Sequence, residues 1–205
     1  MSKGDLIMIN KQIILTSTGL ENKEVIDNIF NIVGSFEKIK MLVIPQARLG
    51  DYNKTKYLND YIEIGFKENN IFFLDDIDTY KFEDLNIDMF YVCGGNTFLL
   101  KKFLSDTKFD KAILHYISKG VIYLGASAGS QIATKNIKHI ELFDSNYINI
   151  SDYNGLNLLD ALLICHYNED RKKFLESHNI SFKYKTFYIS DNQILYINKN
   201  SIKII

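Results

Sequence analysis

Val121-Ile-Tyr-Leu-Gly-Ala-Ser-Ala-Gly-Ser130 is a four-residue apolar run that passes without a linker into Gly-x-Ser-x-Gly. A strand that ends this way and turns at once into a helix holds the serine hydroxyl out at a sharp bend, where a base can reach it. Gly125 and Gly129 remove side chains that would collide across the turn, and Gln131-Ile-Ala-Thr is expected to continue the helix behind it. The backbone N–H groups of the helix start suit an oxyanion, so one turn both presents a nucleophile and stabilises the charge its attack creates. Ser127 is the candidate nucleophile. Taken alone the segment is also just six small residues, and small residues serve close helix-to-sheet packing equally well.

Around this segment, strand and helix signals alternate. Gln12 to Ser17 is a β-branched run, and Asn22 to Val33 carries apolar residues at helical spacing with Asn22 placed to cap it. Then come a strand over Ile39 to Pro45, a helix over Lys54 to Asn69, a strand over Ile71 to Leu74, a short helix near Glu83 and a strand over Met89 to Cys93. Helices over Asn96 to Phe103 and Phe109 to Ser118 precede the strand that delivers Ser127. That order predicts a three-layer α/β sandwich, a mostly parallel sheet with helices on both faces. The tail, Lys185 to Ser190, Ile194 to Asn198 and Ser201 to Ile205, reads as short strands joined by polar turns, Asp191-Asn among them, that end the sheet as C-terminal hairpins. With no repeat, no linker and one proline (Pro45), residues 1–205 are expected to form one domain.

Composition narrows the function. At 205 residues and 46% hydrophobic, the chain can bury on the order of 70% of its unfolded surface. Net charge is −1, from 24 basic and 25 acidic residues, and no basic stripe forms, which argues against nucleic acid as a partner. No stretch approaches the roughly 18 apolar residues of a membrane span, and the first residues lack a signal-peptide core, so a cytoplasmic protein without a membrane partner is expected. Cys93 and Cys165 lie far apart, and His115, His139, His166 and His178 show no ligand spacing, so neither a disulfide nor a metal site is expected. The aromatic content fits a well-filled core or a self-association surface, leaving monomer and homodimer both open.

Ligands of parallel sheets gather at the carboxyl ends of the strands. Two such ends stand out: Val92-Cys-Gly-Gly-Asn-Thr97 and Leu163-Ile-Cys-His166. Gly94 and Gly95 allow close backbone approach, so an N–H there could complete an oxyanion hole begun at Ala128, while Asn96 or Thr97 could simply cap the next helix. His166 closes an apolar run and so falls at the mouth of the sheet, where a base for Ser127 belongs; a satisfied core histidine is the plainer reading.

Taken together, Cys93-Gly-Gly-Asn-Thr-Phe, Gly125-Ala-Ser-Ala-Gly-Ser, Gly155-Leu-Asn-Leu-Leu-Asp and Leu163-Ile-Cys-His-Tyr resemble the peptidase E family of serine peptidases. It includes aspartyl dipeptidases and their cyanophycinase relatives, on a flavodoxin-like fold shared with class I glutamine amidotransferases. The likeness runs over roughly residues 12 to 197. It implies Ser127 as nucleophile, His166 as base, and Gly95 with Ala128 as oxyanion donors. The family's acid follows the elbow helix, where Ile137 to Asp144 offers Asp144, preferred because it precedes the polar turn Ser145-Asn146, and Glu141 as the alternative. Hydrolysis would proceed through an acyl-enzyme without metal or cofactor.

The resemblance further implies a small peptide substrate with N-terminal aspartate, contacted near Asn96 and Thr97 and read by an arginine downstream of the base. Arg171 holds that place, and a guanidinium suits a carboxylate, although a solvated first-turn arginine is the bland alternative. Two departures bear on specificity: Cys165 stands where the family usually has proline, and the loop after His166 is short. A cyanophycinase-like hydrolase of β-aspartyl links, and a non-catalytic binding module, therefore stand beside the aspartyl exopeptidase. The binding module is favoured if neither Glu141 nor Asp144 reaches His166.

Overall fold

The computed structural model describes residues 11–48, 50, 52–76, 85–199 and 201–205. Its elements in chain order are β1 (Gln12–Thr16), α1 (Lys23–Val33), β2 (Met41–Ile44), α2 (Lys54–Glu63), β3 (Ile71–Phe73), β4 (Met89–Val92), α3 (Thr97–Thr107), α4 (Phe109–Ser118), β5 (Ile122–Ala126), α5 (Ala128–Ile132), β6 (Leu162–Ile164), α6 (Glu169–Ser177), β7 (Thr186–Tyr188), β8 (Ile194–Asn198) and β9 (Ser201–Ile204). The expected helix near Glu83 lies outside the described residues.

Among the described residues, seven strands make one sheet in the order β3-β2-β4-β5-β1-β8-β9. The first five run parallel, and β8 and β9 close the edge as an antiparallel hairpin. The five parallel strands are largely apolar runs because both their faces are buried, as parallel strands under helices on each side require. Leu42, Ile44, Phe90, Val92 and Tyr123 pack with Phe98 and Leu104 of α3 and Ile113 and Ile117 of α4. The alternate residues, Met41, Val43, Met89, Tyr91 and Leu124, pack with Val25 and Ile29 of α1 and Tyr61 of α2. This is a three-layer α/β fold. Each such side chain contributes on the order of 2 kcal/mol through burial, which fixes register because a one-residue slip would exchange the two faces.

Three elements differ from the sequence expectation. The helix from Lys54 stops at Glu63 instead of Asn69, because Gly65 turns the chain at φ 110° and Phe66 folds under to stack on Phe36. The helix behind Ser127 is only five residues long: the Ala133 carbonyl accepts from Leu158 and Leu159 N–H rather than continuing a helix. β7 does not join the main sheet. It pairs in parallel with β6 as a separate two-stranded sheet, so the first of the tail strands is no hairpin partner of β8.

Ser17 joins the two sheets at their carboxyl ends. Its hydroxyl lies 3.0 Å from the Ser190 carbonyl beyond β7 and accepts from His166 N–H (2.9 Å) beyond β6. The segments after β1, β6 and β7 thereby meet in one place, and contacts of Arg48 with Gly94, Gly94 with Ser127 and Ser127 with Thr16 bring those after β2, β4 and β5 to it.

Candidate active site

Ser127 sits between β5 and α5 with φ 46° and ψ −106°, a conformation that costs a non-glycine residue roughly 1–3 kcal/mol and persists only where its surroundings over-determine it. They do so here. Ser127 N–H donates to Thr16 O (3.0 Å), and Ser127 O accepts from Ser130 N–H (2.9 Å) and Gln131 N–H (2.8 Å). The buried Ser130 hydroxyl accepts from Thr16 N–H (2.8 Å) and lies within donating distance of the Thr16 and Gly125 carbonyls. A Cβ at Gly125 would stand 2.7 Å from the Gly129 backbone, and one at Gly129 would stand 2.0 Å from Val92 O. The two glycines are therefore demanded by sterics, as the sequence pattern anticipates.

His166 follows β6 by two residues. Its Nε2 lies 3.0 Å from Ser127 Oγ, and its Nδ1 lies 2.6 Å from Asp191 Oδ1. A carboxylate only accepts, so Asp191 selects the Nδ1–H tautomer and leaves the Nε2 lone pair facing the serine hydroxyl. His166 also has positive φ (55°), held by its N–H bond to Ser17. The side chains of His166 and Asp191 are 35% and 58% exposed, so their pairing orients the ring more than it stabilises the fold.

The carboxylate that meets His166 is thus Asp191, where Asp144 or Glu141 was expected. Asp144 Oδ2 accepts from Thr97 N–H (3.0 Å) and Thr97 Oγ1–H (2.9 Å), placing its charge at the N-terminus of α3. Glu141 is engaged by Lys138 (2.6 Å) and by the Tyr153 hydroxyl, and the Lys138 bond above all holds its carboxyl below the ordinary range. Asn96 and Thr97 are likewise spent within the fold. Asn96 Oδ1 caps α3 by accepting from Phe98 and Leu99 N–H, its Nδ2 donates to Ser145 O, and Thr97 is buried.

Arg171 is not a solvated first-turn residue. It folds back over the Phe143 ring (4.3 Å) and donates Nη1–H to Cys165 O (2.8 Å), directly beside His166. On the other side of the serine, Arg48 donates Nε–H to Gly94 O (3.0 Å) and pairs with Glu21 (3.1 Å). Burial pushes the thiols of Cys93 and Cys165 up to about 12, so both are neutral at ordinary pH and neither is an activated nucleophile. Among the described residues no three His, Cys, Asp or Glu side chains converge as a metal site, and no helix is long and apolar enough to cross a membrane.

Sequence reasoning missed Asp191 and Arg48. Asp191 sits in a polar turn that any hairpin reading explains. The signal lies in the β6–β7 pairing: Ile164 opposes Tyr188, which carries His166 and Asp191 out past adjacent strand ends.

The sequence pattern of peptidase family S51 matches residues 13–205. The chain belongs to this family of serine peptidases. Among its relatives, an uncharacterised peptidase of Listeria monocytogenes is 39% identical over 115 residues, 55% of this chain and 54% of its own length. A similar peptidase of Listeria innocua is 35% identical over 122 residues, again 53% of this chain and 58% of that one, so these two matches span little more than half of the relatives. An uncharacterised peptidase of Pasteurella multocida is 27% identical over 196 residues, covering 89% of this chain and 92% of its own. The crystal structure of a candidate peptidase E from Listeria monocytogenes superposes with a TM-score of 0.78 at 26% identity, over 96% of this chain and 98% of that one. The S51 fold assignment and the three-layer architecture therefore agree.

Proposed function

We propose that this S51 protein is a serine exopeptidase that hydrolyses short peptides with an N-terminal aspartate through an acyl-enzyme. The observation that carries the reading is the unbroken line Ser127 Oγ to His166 Nε2 (3.0 Å) and His166 Nδ1 to Asp191 Oδ1 (2.6 Å). His166 takes the serine proton as Oγ attacks the scissile carbonyl, and Asp191 holds the imidazole in the right tautomer and offsets the charge it acquires. The oxyanion forms beside the N–H groups of Gly95 and Ala128, neither of which has an acceptor among the described residues. His166 then protonates the leaving amine, and water, deprotonated by the same imidazole, releases the acyl group. Neither Glu141 nor Asp144 reaches His166, the condition that would favour a non-catalytic binding module, but Asp191 supplies the carboxylate in their place.

Arg171 supports the aspartyl preference. It is anchored one residue from His166, and its remaining guanidinium donors are a fit for a substrate carboxylate. The test is initial-rate hydrolysis of α-Asp-Leu, β-Asp-Arg and Ala-Leu by the wild type and Ser127→Ala. Faster turnover of α-Asp-Leu than of the other two, lost by a factor of at least about 10³ in the variant, is the expected result. Preference for β-Asp-Arg would move the protein to the cyanophycinase-like branch, and equal turnover of Ala-Leu would remove aspartyl selectivity.

A further inference from the structure

We infer that Arg48 is a positioning residue for the oxyanion hole, fixing and polarising the Gly94–Gly95 peptide so that the Gly95 N–H faces the charge that develops on attack by Ser127. The inference rests on the serine-peptidase reading above and adds a residue to it. A trans peptide holds its C=O and N–H in one plane and pointing in opposite directions. Whatever grips the Gly94 carbonyl therefore aims the Gly95 amide. Arg48 grips it with Nε–H at 3.0 Å, a charge-assisted bond that also draws electron density from the peptide and strengthens its N–H as a donor.

In this loop the Gly94 and Gly95 N–H groups have no acceptor among the described residues, and the one that Arg48 aims is that of Gly95. Cys93 N–H donates to Ile44 O (3.0 Å) and Asn96 N–H to Ala47 O (2.9 Å), so the residues on both sides are tied to the segment after β2. Gly95 adopts φ 140°, and a Cβ there would lie 2.2 Å from Ala47 O, so no other residue fits and the loop cannot relax sideways. The loop also borders the nucleophile: the position of a Gly94 Cβ is 3.2 Å from Ser127 Cβ and 3.8 Å from Arg48 Nη2. Arg48 itself is held, by Glu21 on Nη2 and by the Tyr57 ring 5.0 Å from Cζ, with its side chain only 25% exposed. Arg171 does the equivalent on the opposite side, since its target, Cys165 O, shares a peptide with the His166 N–H that bonds Ser17.

The experiment compares wild type, Arg48→Met and Arg48→Lys, each checked for folding by near-ultraviolet circular dichroism. Two readouts are taken: kcat and KM for Asp-Leu and its C-terminal amide, and the rate at which a fluorophosphonate, whose phosphoryl oxygen occupies the oxyanion position, modifies Ser127 by intact mass. Loss of an oxyanion donor costs about 10²–10³ in rate, and a misaimed one should cost roughly 10- to 100-fold. The expected result is that kcat and labelling fall together by that factor in Arg48→Met, equally for acid and amide, with KM changed less than about twofold. Arg48→Lys recovers part of the loss, and remains the test if Arg48→Met fails to fold. Unchanged labelling with a KM rise confined to the free acid would overturn the inference and make Arg48 a substrate contact. Labelling of neither wild type nor variant at Ser127 would overturn the serine reading itself, and the inference with it.

Discussion

Asp191 and Asp144 show what a residue's chemistry does and does not disclose in sequence. Both are aspartates beside polar turns, and both lie within reach of a strand end in a linear reading. Their difference is made by partners: Asp144 meets the orphan N–H and hydroxyl of Thr97 at the start of α3, while Asp191 meets a ring nitrogen of His166. Ser127 and His166 were legible because a strained elbow and a strand-terminal histidine leave local patterns, two glycines in one case and an apolar run in the other. A carboxylate that arrives from 25 positions downstream leaves none. The same holds for Arg48, whose partner is a backbone carbonyl and therefore has no sequence signature. Replacing Asp144 removes a helix-terminal charge, worth about 1 kcal/mol of stability, and leaves the imidazole alone. Replacing Asp191 by its amide offers His166 a donor as readily as an acceptor and so releases the wrong tautomer.

At the scale of elements, α1, α4 and the parallel strands were predicted nearly to their ends, because periodicity and caps such as Asn22 act within one turn. The failures were long-range. α2 ended early at a glycine turn that a helical period alone does not reveal, and β7 left the main sheet for β6. The elbow is the element most intolerant of change. Gly129→Ala would drive a Cβ to 2.0 Å from Val92 O, backbone against backbone in the core, where no side chain can move aside. We expect a loss of more than about 4 kcal/mol, read as a collapse of the urea midpoint or of soluble yield. A variant of wild-type stability would mean that α5 can shift away from β4.

Across the whole molecule, the layer architecture followed from the alternation of elements, but the strand order did not. Only the pairing of β1 with β5 and of β6 with β7 explains why segments more than 100 residues apart share one site. A buried histidine beside β6 makes the stability of the whole molecule depend on pH. His139 is 8% exposed, bonds Leu163 O (2.9 Å), and burial lowers its pKa below the usual 6.5 or so. The unfolded chain therefore takes up this proton before the folded one does. Its contribution is constant above about pH 6.5 and is lost as pH falls from there toward the depressed folded value. Thermal melts at pH 7.5 and 5.5 should show a larger fall in Tm for wild type than for His139→Gln; equal falls would mean that His139 protonates without cost in the fold.

The most direct test is kcat/KM for the best aspartyl dipeptide measured side by side in wild type, Asp191→Asn and Asp144→Asn. A Ser-His-Asp relay ending at Asp191 predicts a drop of about 10³–10⁴ for Asp191→Asn, with Asp144→Asn within about threefold of wild type. The reverse pattern, with activity lost at Asp144 and kept at Asp191, would contradict it.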